Sequence, residues 1–598
     1  MQKQCISHNI ASKIFKTIKL LWEASSWEFI GVLVANACTG LLTPISLYCS
    51  QRSLDSIVLC LEGQERIPYS IFWLIISLML MLFGNTISLL LQGKKALLSE
   101  KIELHITNKI ITKCNELSLE EYENPETVNK IKISLQEASN RCSILIDITS
   151  DMAKSFISVM GVASIILEFN SLLLVVVFIC MYPILKIRSK SSEKLYQISA
   201  EQIPNQRMKD TLINLLLNTK NIAEFKIFDT IPYVKKRICD VMYIQYSANR
   251  TMRRQTGFVN IGSMLINILC TLVVKIWALS EALFKKYTVG EISKLLGSID
   301  ALRGQIQSIF FCLSMFYEQL LYVNALYELL GSSNHADEKR RSIDEQIRKV
   351  DLENVSFTYK GANSPALKHI DLHLEAGKIY AIVGKNGSGK STLVKLIMGL
   401  YSPCDGNVLL NGKNIGQWNH AALCNQISAV FQEYIRYPFS VKDNIGIGWT
   451  SCENLTDIKI AAERSFADDF IEALPDKYET QLYKEWKGGV ELSGGQWQRL
   501  AFARCLLRNP SVQVLDEACA SIDNATKAEI QKSLLVDKDK KITILISHEK
   551  KEIENCDWII ILENGQVVTQ GKYKEIKDDA SFTKIFKFPD EKEHEKCL

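Results

Sequence analysis

The sequence predicts a multi-domain chain: an all-α domain of six transmembrane helices with long cytoplasmic helical extensions, followed by an α/β domain of the P-loop class. Three observations carry this reading. Residues up to about Gly331 contain long apolar runs, whereas the remainder has the mixed texture of a soluble α/β domain. The stretch Gly384-Lys-Asn-Gly-Ser-Gly-Lys-Ser-Thr392 reads G-x-x-x-x-G-K-[ST]. It stands between the apolar run Ile379–Val383 and the helical pattern Leu393–Met398, the strand, turn and helix order that a phosphate loop requires. Residues 332–350, between the two textures, are charged and lack an apolar face, which suits a linker.

The predicted spans are 27–49, 71–91, 146–167, 172–189, 258–279 and 292–316. The fourth must extend into polar sequence to reach the length of a spanning helix, and the sixth carries Asp300, Arg303, Gln305 and Gln307. Loop charge orients the spans. Gly93–Leu145 holds eight Lys or Arg and Lys186–Gly257 holds fourteen, against two in Gln51–Ser70, none in Glu168–Ser171 and two in Glu281–Gly290. Basic loops stay inside, so the N-terminus, both long loops and the C-terminal half are expected in the cytoplasm. Both long loops are helix-forming over most of their length, with turns expected near Tyr122–Pro125 and Ala223–Phe228. Asn260, Asn267, Asp300, Arg303, Gln307 and Glu318 are candidates to line a cavity between the spans. Asp300 and Arg303, three residues apart, can equally pair with each other on one helix face.

Net charge is only +4, so nothing global argues for a nucleic-acid partner. The seventeen cysteines show no C-x-x-C pairs or metal spacing, and Cys38, Cys180, Cys270 and Cys312 sit inside apolar runs like small buried hydrophobes.

The phosphate loop makes the second domain a nucleotide-binding one, expected over residues 351–587 with a polar tail at 588–598. Backbone N–H groups of Gly384 and of Asn386, Gly387, Ser388, Gly389 and Thr392 would cradle a polyphosphate. Lys390 would reach the β- and γ-phosphates, and the Ser391 hydroxyl would sit on Mg²⁺. Tyr359, 25 residues earlier, offers an aromatic face to a nucleobase. Gln432 follows an apolar strand and can ligate Mg²⁺ or the attacking water. The strand Val512–Asp516 ends in two carboxylates, Asp516 for the Mg²⁺ water shell and Glu517 to polarise water. Thirty-one residues after Glu517, a second strand ends at His548, which can contact the γ-phosphate. Ser493, Gly494, Gly495 and Gln496 open a helix and present a hydroxyl and bare N–H groups to an anion.

Together these residues resemble the ATPase domain of ATP-binding cassette transporters over about Asp351–Lys587. Six spans ahead of one such domain resemble an exporter half-transporter. The resemblance implies ATP and Mg²⁺ as cofactors. It also implies a dimer in which Lys390 and Glu517 of one chain meet Ser493 and Gly495 of the other, with Asp523 in the D-loop. Both halves of a competent site occur here, which favours a second copy of the same chain over a heterodimer. The turns near Tyr122–Pro125 and Ala223–Phe228 correspond to coupling helices, which the family docks in ATPase grooves near Gln432. Gln496-Trp-Gln-Arg499 and the two turns are similar to exporters of bacteriocin-like peptides, lantibiotics and lasso peptides. The expected protein is therefore an ATP hydrolase in a bacterial cytoplasmic membrane, in contact with lipid, that moves a peptide or an amphipathic small molecule outward. A drug or lipid exporter, or a membrane sensor, immunity or receptor protein without net transport, are the alternatives. The sequence departs from the family where Gln513 interrupts an apolar strand and where Ala518 replaces a common proline.

Overall fold

The computed structural model describes residues 18–19, 21–63, 67–331, 345–451, 454–517, 524–534 and 538–586. Most of the expected linker and the whole 588–598 tail lie outside these residues. The chain divides into two compact units, the first formed by residues 1–115 and 125–332, the second by 116–124 and 333–598.

The first unit is built from helices α1 (Ser26–Leu61), α2 (Ile67–Glu116), α4 (Pro125–Phe169), α5 (Ser171–Leu217), α6 (Ile222–Ile227), α7 (Ile231–Phe284) and α8 (Val289–Gly331). Each expected span lies inside one long helix of 36 to 54 residues. Four stretches are long and apolar enough to cross a membrane: Ser26–Leu61, Pro68–Glu116, Ile144–Phe169 and Ile231–Phe284. The shorter apolar stretch Ser171–Pro183 opens α5, and α8 has no such stretch among its described residues. At 1.5 Å per residue, a helix as long as α2 measures about 75 Å, far more than a hydrocarbon core of about 30 Å. The chain turns where helix-breaking chemistry predicts: α6 occupies the second expected turn, and Asn170, whose side chain accepts from Leu172 N–H, caps the start of α5.

Packing in this unit uses small residues and paired polar groups. A Cβ on Gly40 of α1 would come 2.4 Å from the Lys154 carbonyl oxygen of α4, so only glycine allows this approach. Asn36 donates to Asp151 at 3.1 Å, while Lys95 reaches Asp147 at 3.1 Å and Asp151 at 3.5 Å. The structure corrects one sequence alternative: Asp300 pairs with Lys275 of α7 at 2.5 Å, and Arg303 donates instead to Thr271 at 2.7 Å. Helical spacing allowed an Asp300–Arg303 pair, but a cation on the neighbouring helix takes the carboxylate. The Glu318 side chain lies outside what is described.

The second unit contains two sheets. The smaller is antiparallel, in the order β2 (Leu367–Glu375), β1 (Lys349–Phe357), β4 (Asp405–Leu410), β5 (Lys413–Asn414). The larger has the order β10 (Gln566–Gly571), β9 (Trp558–Glu563), β3 (Lys378–Val383), β8 (Ile542–Ile546), β7 (Val512–Asp516), β6 (Ile427–Val430). Strands β9, β3, β8, β7 and β6 run parallel and β10 alone pairs antiparallel. Their near-continuous Val, Ile and Leu content is what burial on both faces requires.

The short helix α3 (Leu119–Glu123) belongs to this second unit. Ser118 and Glu121 form a reciprocal capping box at its start, and Pro125 follows its end. Leu119 packs on the core cluster of the unit, Tyr401 donates to Glu123, and Lys395 lies 3.8 Å from the same carboxylate. The resemblance placed this segment near Gln432; its observed partners are Tyr401 and Lys395.

Gly40→Val should cost about 2 kcal/mol or more through the backbone clash with Lys154 and lower the apparent unfolding temperature of the detergent-purified chain. Gly31→Val, on the same helix with nothing within 4 Å of the added Cβ, should leave that temperature unchanged.

Candidate nucleotide-hydrolysis site

The parallel sheet builds the site at one edge. β3, β6, β7 and β8 all run the same way, so their C-terminal ends deliver the phosphate loop, Gln432, Asp516–Glu517 and Ser547–His548 to the same side. A cavity of about 570 Å³ forms there, lined by Tyr359, Asn386, Gly387, Gly389, Lys390, Ser391, Thr392, Gln432, Asp516, Glu517 and His548, with Ala366 beside them. Its volume lies within the range of small-molecule sites.

The loop geometry explains its glycines. Gly389 caps helix α9 (Lys390–Ile397) with φ 104°, a conformation that a side chain would strain. A Cβ on Gly384 would lie 2.4 Å from the Leu562 carbonyl oxygen, so the loop can only run this close to β9 without one. Lys390 is 8% exposed, and its ammonium donates to the carbonyls of Gly384 at 2.7 Å and Lys385 at 3.1 Å. Burial holds its pKa below the usual value, against the opposing pull of Glu517 and Asp516. The Ser388 hydroxyl is buried with no partner among the described residues. Ser391 is exposed at the cavity, and Thr392 shares a 2.8 Å hydrogen bond with the Tyr359 hydroxyl. Tyr359 stands edge-on to Phe357 and Tyr401, with ring centroids 5.1 and 5.7 Å away, which fixes its plane beside the loop.

Glu517 is the meeting point. Gln432 Nε2 donates to one carboxylate oxygen at 2.6 Å, and His548 Nε2 lies 3.2 Å from the other. Its φ of 46° is left-handed, and its N–H donates to the Ile546 carbonyl at 3.0 Å, which anchors that turn to β8. Burial raises the Asp516 carboxyl above its ordinary pKa, the Glu517 charge adds to the effect, and Lys390 opposes it.

The residues expected of a second anion site are elsewhere. Ser493 caps helix α10 (Gly494–Leu507): its hydroxyl accepts from Gln496 N–H at 3.3 Å, and Gln496 returns a bond to Ser493 N–H at 2.9 Å. Ser493 and Gly494 are exposed, and none of Ser493, Gly494, Gly495 and Gln496 lines the cavity. Asp523 lies outside the described residues. Gln513 is buried and keeps Nε2 without a partner among the described residues.

Two participants were not visible in the sequence. Ala366 lines the cavity because β2 begins beside the phosphate loop, a sheet pairing without a motif. Arg504 of α10 anchors the chain after Gln432: it donates to the Ile435 carbonyl at 2.6 Å, to the Asn444 carbonyl at 2.6 Å and to the Asn444 side chain at 2.8 Å. Its guanidinium lies 5.0 Å from the Tyr437 ring, and burial lowers its pKa to about 10. An arginine at the eleventh position of a helix carries no such signal by itself.

Residues 367–520 match the family model described as ABC transporter. The chain is 28% identical to the subtilin transport ATP-binding protein of Bacillus subtilis over 575 residues, 95% of this chain and 92% of that one. It is 29% identical to the ATP-dependent lipid A-core flippase of Escherichia coli K12 over 449 residues, 74% of this chain and 75% of that protein. Among solved structures, a bacterial Atm1-family ABC exporter with ATP bound superposes with a TM-score of 0.82 at 20% identity, covering 93% of this chain and 98% of the other. That likeness establishes a common fold.

Glu517→Gln keeps the hydrogen bond from Gln432 possible while removing the base. Hydrolysis should fall by about 10²- to 10⁴-fold with binding of a fluorescent ATP analogue retained, as read by phosphate release and by anisotropy on the same preparation.

Proposed function

We propose, for a chain that is a multi-pass half-transporter of the ATP-binding cassette exporters and couples ATP hydrolysis to transport, that the cargo is a bacteriocin-like peptide moved outward from the cytoplasm. The observation that carries the cargo reading is the likeness to the subtilin transport protein along 95% of the chain, through both units. The lipid A-core flippase, alike over 74%, supports the second reading, a lipid cargo. The six long helices are read as six spans, with the second unit in the cytoplasm and the long helices reaching beyond the bilayer.

Bound ATP supplies the phosphoryl group whose hydrolysis drives the cycle. The residues present fit it: the glycine cradle, the buried Lys390 ammonium and the edge-packed Tyr359 converge on one cavity. Lys390 and the loop N–H groups hold the polyphosphate, and Tyr359 offers its face to the base. Ser391, Gln432 and Asp516 form an oxygen-donor set suited to Mg²⁺, whose preference is for carboxylate, hydroxyl and carbonyl oxygens. Glu517 orients the attacking water and accepts its proton. Its two oxygens are already addressed by Gln432 and His548, so movement of either residue repositions the base.

The exposed serine–glycine cap of α10 is polar, stands clear of its own chain's cavity and presents the N–H groups of Gly494 and Gly495 at a helix N-terminus. It is therefore assigned to the site of a second copy, so that closure of two chains completes two sites and their opening after hydrolysis resets the cavity.

A mixing experiment tests the shared site. Chains carrying Lys390→Ala or Ser493→Arg should each be inactive alone. Co-assembled, each mixed pair retains one intact composite site, and hydrolysis should return to about half the wild-type rate per mixed dimer; no recovery means each chain completes its own site. Cargo is tested in inside-out vesicles: ATP-dependent uphill accumulation of subtilin, abolished by Glu517→Gln, is expected. Movement of lipid A with no accumulation of peptide would establish the lipid reading instead.

A further inference from the structure

Arg303 is a cation inside the membrane unit whose hydrogen-bonding capacity is only partly used. It lies 14 residues along α8 from Val289, about 21 Å at the helical rise. Thr271, its partner, lies 13 residues before the end of α7, about 20 Å from the same short 285–288 loop. With a hydrocarbon core of about 30 Å, both fall within the bilayer. A charge there needs compensation.

The neighbouring charges do not supply it. Asp300 is taken by Lys275 at 2.5 Å, so that pair is neutral. Among the described residues, the guanidinium makes one hydrogen bond, from Nη1 to the Thr271 hydroxyl at 2.7 Å. Nε is buried and has no partner. The Nε/Nη2 edge, the fork that matches the two oxygens of a carboxylate, is therefore free. One helical turn further along α8, Gln307 Nε2 is likewise buried without a partner. Arg303 lines a cavity of about 20 Å³ between α5, α7 and α8, shared with Cys180, Asn267, Cys270, Thr271 and Ile299. That is room for about one water-sized group, so the cavity admits the head of a ligand and the remainder must lie outside it.

We propose that the free edge of Arg303 receives a carboxylate of the transported peptide within the membrane unit. Thr271 holds Nη1, and the Lys275–Asp300 pair leaves Arg303 as the unneutralised charge of this cluster. A carboxylate fits better than a neutral amide for two reasons. It supplies the missing negative charge in a low dielectric, and it accepts from both fork donors at once. This assignment rests on the peptide-export reading.

The test uses the full chain in nanodiscs and ATPase stimulation by subtilin, either as free acid or with all its carboxyl groups converted to amides. In the wild type, amidation is expected to raise the half-stimulating concentration about ten-fold or more. In Arg303→Gln the two forms should differ by less than about two-fold. Arg303→Lys keeps the charge and loses the fork, and should lose most of the discrimination; it decides the matter if the Gln variant does not assemble. Full discrimination in either variant, or none in the wild type, overturns the site while leaving peptide export standing. No stimulation of the wild type by either form of subtilin overturns the peptide reading and the site with it.

Discussion

The second unit depends on the grip of Gln432 and His548 on the Glu517 carboxylate. Each of the three residues ends a different strand, and only a parallel arrangement of β6, β7 and β8 brings those ends together. The positive φ of Glu517 belongs to the same constraint, since the chain must turn sharply off β7 to point the carboxylate along the edge. Lys390 opens the helix that follows β3, the strand beside β8, so its place relative to Glu517 is set by the same sheet. A slip of one residue in any of these strands would invert the faces and scatter the group.

Around that edge, buried arginine and tyrosine side chains convert packing into position. Arg504 ties α10 to the loop after Gln432 by three hydrogen bonds to one short stretch of chain. Tyr359 is held by Thr392 on one side and by the Phe357 and Tyr401 rings on the other. Tyr401 in turn donates to Glu123 of α3, so the ring cluster beside the phosphate loop also seats the 116–124 segment. Tyr359 and the 116–124 segment thus share Tyr401 as a common neighbour.

The membrane unit obeys a different rule: polar groups must find each other because lipid offers no alternative. Asn36, Lys95, Asp147 and Asp151 satisfy one another, as do Lys275 and Asp300. Arg141 donates to Gln319 at 2.9 Å and Ser155 to Ser308 at 3.2 Å, each joining α4 to α8. Arg303 departs from that rule, as do Gln51, Ser158 and Gln307, each with a buried polar atom that has no partner among the described residues.

Much was legible in the residues themselves. Hydropathy runs, loop charge and the ordered motifs from Tyr359 to His548 sufficed to anticipate a helical membrane domain followed by an α/β ATPase domain, because periodicity and glycine turns are local properties of the chain. Which side chains meet was not local. Spacing let Asp300 pair with Arg303, whereas the packing of α7 on α8 gave it Lys275. Arg504 and Ala366 carried no motif and gained their places only when α10 and β2 packed beside the site. The segment 116–124 read as a turn that docks on the ATPase domain near Gln432; the structure groups it with the second unit but gives Glu123 the partners Tyr401 and Lys395. The sequence by itself determined the element types and the identity of the phosphate loop. Only the tertiary structure decided the partners of Glu517, Asp300 and Arg303, because a contact between distant residues depends on how elements pack, and no short window of sequence contains that information.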